Sequence, residues 1–182
     1  MNKKYEFVEG DEVTTPSGVT LKRIRALIAI ADTAFMPAVN PGDLGGYIQS
    51  ENNLSEICNA WVYGDARVSG DARVAGNTRV ADDAWVSGNA RVADDGLIFW
   101  ASKVGTENGT LTVYNGKDDT LLVTRGCFLG SPTEFLEKSK RVHDARTHHE
   151  YKLLIEVATS RIEAAQAAIE TIGADRLMLL ED

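Results

Sequence analysis

From Ala60 onward the chain repeats a six-residue pattern of small, outward, valine, spacer and two turn residues. The copies are Ala60-Trp-Val-Tyr-Gly-Asp65, Ala66-Arg-Val-Ser-Gly-Asp71, Ala72-Arg-Val-Ala-Gly-Asn77, Thr78-Arg-Val-Ala-Asp-Asp83, Ala84-Trp-Val-Ser-Gly-Asn89 and Ala90-Arg-Val-Ala-Asp-Asp95. A degenerate copy follows at Gly96-Leu97-Ile98. The small residue and the valine are two apart, so both point to one side of a strand and the Trp or Arg between them points to the other. Gly-Asp, Gly-Asn and Asp-Asp tolerate left-handed backbone angles and supply a corner. A short strand and a corner every six residues wind into a triangular prism with three strands per coil. Residues 18 apart then stack about 4.8 Å from one another. Val62, Val80 and Ile98 form one inner column, Val68 and Val86 a second, and Val74 and Val92 a third. Each buried valine contributes roughly 1.5–3 kcal/mol, so two or three coils make a thin core that needs capping or oligomerisation.

The flanks carry other periods. Residues 1–30 alternate as strands, with turns predicted at Glu9-Gly10-Asp11 and Pro16-Ser17-Gly18. Residues 31–59 read as a loop and an imperfect first coil, in which Leu44 and Ile48 are apolar but Ser50 and Glu56 fall at valine positions. From Leu97 onward, strand-like segments at Leu97–Ala101, Thr110–Tyr114 and Thr120–Thr124 are separated by Glu107-Asn108-Gly109 and by Asn115–Asp119, a hairpin loop. Ser131-Pro132-Thr133-Glu134 starts a helix that ends near Val142, with a capping box and proline at its first position. A longer helix is expected over His148–Ile172, ended by Gly173. Tyr151, Ile155, Ala158, Ile162, Ala165, Ile169 and Ile172 are spaced as a heptad seam. That seam suits either packing on the helix's own domain or a trimeric bundle. Three regions follow: an N-terminal β cap (1–41), a parallel β-helix (42–101), and a hairpin with two helices (102–182).

Composition narrows the class. The 182 residues are 43% hydrophobic and 25% charged, as in a soluble globular protein. No apolar run reaches the roughly 18 residues of a membrane span, and no apolar stretch follows the basic start Lys3-Lys4 as a secretory signal requires. Cys58 and Cys127 stand alone, outside any CxxC pair, and are expected as reduced thiols in a cytoplasmic protein. The formal charge of −8 disfavours nucleic acid as a partner.

The ordered set Gly42-Asp-Leu-Gly-Gly-Tyr-Ile48, Asn53-Leu-Ser55, the Trp-Val-Tyr-Gly-Asp-Ala-Arg-Val repeats, Gly126-Cys-Phe-Leu-Gly130 with Glu134-Phe135, and His149-Glu-Tyr151 resembles bacteriophage and prophage hexapeptide-repeat proteins of unassigned function. The resemblance spans nearly the whole chain. It implies a mainly β fold with a short left-handed parallel β-helix, an N-terminal β cap and a C-terminal α+β region ending in a long helix. It also implies a homotrimer in the cytoplasm of a bacterial host. Residue spacing does not give the left hand, since parallel crossovers favour the right.

Candidate chemistry concentrates on the outer rows. Trp61, Arg67, Arg73, Arg79, Trp85 and Arg91 occupy successive outward positions. Coil arithmetic stacks Trp61 with Arg79, Arg67 with Trp85, and Arg73 with Arg91. Guanidinium forks and indole planes suit the phosphate and base of an anionic, nucleotide-like ligand. Pairing of these arginines with corner aspartates such as Asp65, Asp71, Asp83 and Asp95 is the plainer alternative. The sequence points to no cofactor, no metal and no catalytic residue. His143, His148 and His149 all follow the coils and offer no i, i+4 ligand pair. Cys127 is expected as a small packed hydrophobe. The favoured expectation is a non-enzymatic, phage-encoded binding protein that counters host defence by sequestering a nucleotide-like ligand or blocking a host protein. A hexapeptide-repeat acyltransferase and a purely structural trimer are the alternatives.

Overall fold

The structure is a computed structural model that describes residues 3–32 and 36–178. It is mostly β, built from several sheets, and closes with a long C-terminal helix. None of the sheets forms a closed barrel among the described residues. The repeat gives six two-residue strands: β4 (Trp61–Val62), β5 (Arg67–Val68), β6 (Arg73–Val74), β7 (Arg79–Val80), β8 (Trp85–Val86) and β9 (Arg91–Val92), numbered after three strands that precede them. They pair in parallel at an offset of 18 residues: Val62 with Val80, Val68 with Val86, Val74 with Val92. All six valines and the small residues Ala60, Ala66, Ala72, Thr78, Ala84 and Ala90 are buried, as period-two alternation requires. The corners behave alike. Gly64, Gly70, Gly76, Asp82 and Gly88 share φ between 55° and 68°, the left-handed region that glycine and aspartate enter most readily.

The stack ends where this corner changes. Asp94, the next residue in that series, is extended at φ −147° and caps a 3₁₀ turn over Asp95–Leu97. Ile98 is not laddered to Val80 among the described residues, though it stays in the same buried core. It starts β10 (Ile98–Val104), which runs antiparallel to β11 (Gly109–Asn115), followed by β12 (Leu121–Arg125) and β13 (Phe128–Gly130). The loop around Gly116–Thr120 makes the expected hairpin connection, with Asp118 and Asp119 at positive φ.

The first coil differs from the regular ones by two residues. In β3 (Leu44–Ile48), Tyr47 pairs with Arg67 and Ile48 with Val68, while Leu54 bridges to Val74. The offset is 20 residues, so Ile48 and Leu54 fill the places that an 18-residue count gives to Ser50 and Glu56. The surplus lies in Ser55–Asn59, since Leu54 and Val62 are eight residues apart where successive repeat valines are six apart, while the 3₁₀ turn Glu51–Asn53 keeps the regular count. Buried Asn53 fixes it by donating to Gly70 O (3.0 Å) and Ala72 O (2.9 Å).

At the N-terminus, β1 (Tyr5–Thr14) and β2 (Thr20–Ala26) form a hairpin around Pro16–Gly18, and β2 joins β3 in the sheet order β1-β2-β3-β5-β8. Glu9-Gly10-Asp11 is not a turn. The strand runs through it with a register shift between Phe7 and Glu12, and Gly10 at φ 78° makes the bulge.

Helix α1 (Pro132–Val142) begins with the expected capping box at Ser131 and Glu134. Helix α2 (Ala145–Met178) starts earlier than His148 and continues through Gly173. Asp144 Oδ1 accepts from the Thr147 N–H at 2.7 Å, an acidic cap that fixes the earlier start. Tyr151, Ile155, Ala158 and Ile162 are buried against the chain's own core. The first half of the heptad seam therefore packs intramolecularly, while Ile169 and Ile172 are 44% and 61% exposed.

Candidate ligand cavity

The three outer rows form in the register expected, yet they meet different surroundings. Trp61 and Arg79 are paired but covered, at 0% and 3% exposed. The reason is the N-terminal hairpin, which the repeat arithmetic does not include. Tyr5 packs edge-on against Trp61, and Arg79 donates to Ala31 O at 2.9 Å and lies over the Tyr63 ring. This row is an inner layer rather than an open face.

Arg67 and Trp85, the second row, open onto a hollow. β12 and β13 pass beside it, and the Pro16–Val19 turn closes it from the N-terminal side. Three hydrogen bonds hold Trp85. Its backbone N–H donates to Thr112 Oγ1 (3.1 Å), its indole N–H donates to Ser69 Oγ (3.2 Å), and the Thr124 hydroxyl donates to its carbonyl. Phe128, opposite, is held by an edge contact to Phe135 at 5.3 Å and by Lys138 Nζ over its face. Trp85, Val19, Phe128 and Leu129 give an apolar lining to a cavity of about 460 Å³, within the size range of small-molecule sites. Leu129 is 47% exposed at its mouth, and Ser69, Ser87 and Thr124 supply hydroxyls to its wall.

Trp85, Thr124, Pro16 and Gly126 also border a second compartment of about 280 Å³ that holds Arg67, Asp65, Asp83 and Arg125. Arg125 is committed to the scaffold, donating from Nε to Tyr151 Oη at 3.1 Å. Arg67 makes no ion pair and no cation–π contact with Trp85 among the described residues. Among the described residues Asp65, Asp71 and Asp83 form no ion pair with Arg67, Arg73 or Arg91, the pairing the plainer reading expects. Asp65 pairs with Arg23 at 3.2 Å, and the Asp95 side chain lies outside the described residues.

The third row, Arg73 and Arg91, lines a separate polar hollow of about 490 Å³ with Lys117. Cys127 is exposed on the turn between β12 and β13, where it lines the Trp85 cavity, and is not the packed hydrophobe expected. His143 is half-buried beside Tyr151, and His148 Nδ1 lies 3.3 Å from Ser139 Oγ. None of the three histidines lines the Trp85 cavity. Among the described residues no group of three or more His, Cys, Asp or Glu converges as a metal site.

Four of the six outward residues thus border accessible hollows, and two do not. The repeat alone missed Phe128, Leu129, Pro16 and Gln49, which reach the site from other segments. The Gly126–Gly130 motif was visible in sequence, but nothing there placed it over the coil. Compared with known protein families, curated proteins and solved structures, the chain matches none.

Proposed function

We propose that this chain is a non-catalytic binding protein for a small, ring-bearing, anionic ligand of the nucleotide type. The observation that carries this reading is the Trp85 cavity: an indole held by one hydrogen bond to Ser69 on a backbone fixed by two more, facing Phe128 and Leu129 across about 460 Å³. A prepaid, rigid aromatic wall lowers the ordering cost of stacking a planar ring. The absence of a histidine from that wall gives no support to the acyltransferase alternative, which needs a base within reach of an acceptor group.

The finer architecture belongs to the same proposal. The 18-residue ladders and left-handed corners support a short β-helix, and the family resemblance favours the left hand. A homotrimer is part of the reading, supported by the exposed end of the heptad seam and by the thin core. A phage or prophage origin would make sequestration of a host nucleotide, or obstruction of a host defence protein, the biological use. The structural-trimer alternative rests on Ile169 and Ile172 alone.

The test is a thermal-shift panel of nucleosides, nucleotides and cyclic nucleotides on the purified protein, with native mass spectrometry alongside. Stabilisation by a ring-bearing ligand that Trp85→Leu abolishes is expected. No shift with any member, and no retained mass, would discard the reading.

A further inference from the structure

Beyond the corner at Gly70 lies the hollow of the third row. Arg73 and Arg91 stand opposite one another on β6 and β9, and Lys117 reaches the same hollow from the β11–β12 loop. Asp71 is the one carboxylate that lines it, so three cations face a single acid in a chain whose formal charge is −8. Like charges directly opposite on neighbouring strands are destabilising. None of the three cations forms an ion pair among the described residues.

Arg91 is held in place without being neutralised. Its Nη1 donates to Asp71 O (2.8 Å), Ala90 O (2.8 Å) and Asn89 O (3.3 Å). Its Nε and Nη2 have no partner among the described residues. A guanidinium fixed through one nitrogen, with its remaining donors open, is arranged to accept an oxyanion in a defined direction.

This hollow adjoins the Trp85 cavity. Gln49 and Gly70 line both. Gln49 Oε1 accepts the Gly70 N–H at 2.8 Å, so the divide is an amide lying on a glycine corner. We infer that the Arg73–Arg91–Lys117 hollow seats the phosphate of a ligand whose ring lies against Trp85. The ligand class is then a small phosphorylated ring compound, such as a nucleoside mono- or diphosphate. A nucleic-acid polymer does not fit, because the rest of this acidic chain would repel its backbone. The inference rests on the reading of the Trp85 cavity as the ring site.

Isothermal titration calorimetry on the intact protein tests it with three probes: inorganic pyrophosphate, a nucleoside, and the matching nucleoside diphosphate. The variants are Arg73→Gln/Arg91→Gln, Lys117→Gln and Trp85→Leu. Lys117 lies outside the strand ladders, so its variant reads the phosphate contact even if the double variant is impaired in folding. The expected result is that the double variant weakens the diphosphate by at least about tenfold, Lys117→Gln weakens it less, and nucleoside binding is unchanged in both. Added salt should weaken the diphosphate and spare the nucleoside. Equal binding of nucleoside and diphosphate, insensitive to the cation variants, would overturn the phosphate seat and leave the ring site standing. Arginine-dependent pyrophosphate binding without nucleoside binding would overturn the ring site and the two-part ligand with it. No heat with any probe would overturn both.

Discussion

Tyr5 sits edge-on against Trp61, with ring centroids 6.4 Å apart and planes at 70°. Both residues are fully buried, and the Tyr5 hydroxyl donates to Leu54 O at 3.1 Å. The N-terminal hairpin is thereby welded to the first coil, and one outer row of the repeat becomes a second core. Burial pushes the Tyr5 phenol well above its ordinary range, so it stays a donor.

Trp61 and Trp85 occupy equivalent repeat positions and should separate cleanly on mutation. Trp61→Ala empties a closed core and is expected to cost about 3–5 kcal/mol. Trp85→Ala opens onto a cavity that already exists, so its loss of stability should be smaller while ligand binding disappears. Urea denaturation of the two variants measures the first difference. Comparable destabilisation would mean that the hairpin does not cover Trp61 in solution.

The corners give a second contrast. A Cβ on Gly76, at φ 61°, would collide with the Ala93 carbonyl of the coil beside it. Gly126, at φ 57°, has nothing within 4 Å. Gly126→Ala should therefore cost only the left-handed strain, roughly 1–2 kcal/mol, and Gly76→Ala distinctly more. Thermal melts of both would show it, and equal melting temperatures would contradict the tight stacking of corners.

Much of this was legible because the repeat ties one inward valine to one corner. The six strands, their 18-residue register, the Ser131–Glu134 cap and the Asn115–Asp119 hairpin loop follow from local pattern. What failed needed contacts distant in sequence. Trp61 and Arg79 look like Trp85 and Arg67 within the repeat, and the docking of the N-terminal hairpin and of Ala31 makes them different. Ile98 has the right spacing for a third coil, but extended Asp94 redirects the chain first. The two-residue surplus of the first coil hid in Ser55–Asn59, between Leu54 and the first regular repeat, since nothing in a six-residue period announces where a longer corner falls. The cavity was half visible: its Trp–Arg row belongs to the repeat, and its Phe128–Leu129 wall does not.

Lys4 offers a test in pH. Its ammonium is 1% exposed, donates to Ala60 O at 2.9 Å, and has its pKa brought down by burial to about 8. The unfolded chain, with an ordinary lysine near 10.5, binds more protons than the folded one between these values. This group's burial penalty is therefore full below about pH 8 and relieved as pH rises toward 10.5. Lys4→Met should remove that slope, changing the stability difference from wild type by up to about 3 kcal/mol across the window. Chemical denaturation at pH 7 and pH 10 would measure it, and a constant difference would show Lys4 to be solvated.

The last contrast concerns oligomerisation. α2 spans 34 residues, roughly 51 Å. Its seam is buried through Ile162, half-buried at Ala165 and open at Ile169 and Ile172. An a/d stripe that leaves its own core with isoleucine still at the core-facing spacing is suited to knobs-into-holes packing with further copies of itself. Ile169→Lys/Ile172→Lys should convert a trimer to a monomer in sedimentation velocity. Its intramolecular half, Tyr151 to Ile162, should keep the fold intact by circular dichroism. A wild-type protein that sediments as a monomer at micromolar concentration would assign the whole seam to intramolecular packing and would leave the thin valine core dependent on the N-terminal hairpin and the C-terminal sheet alone.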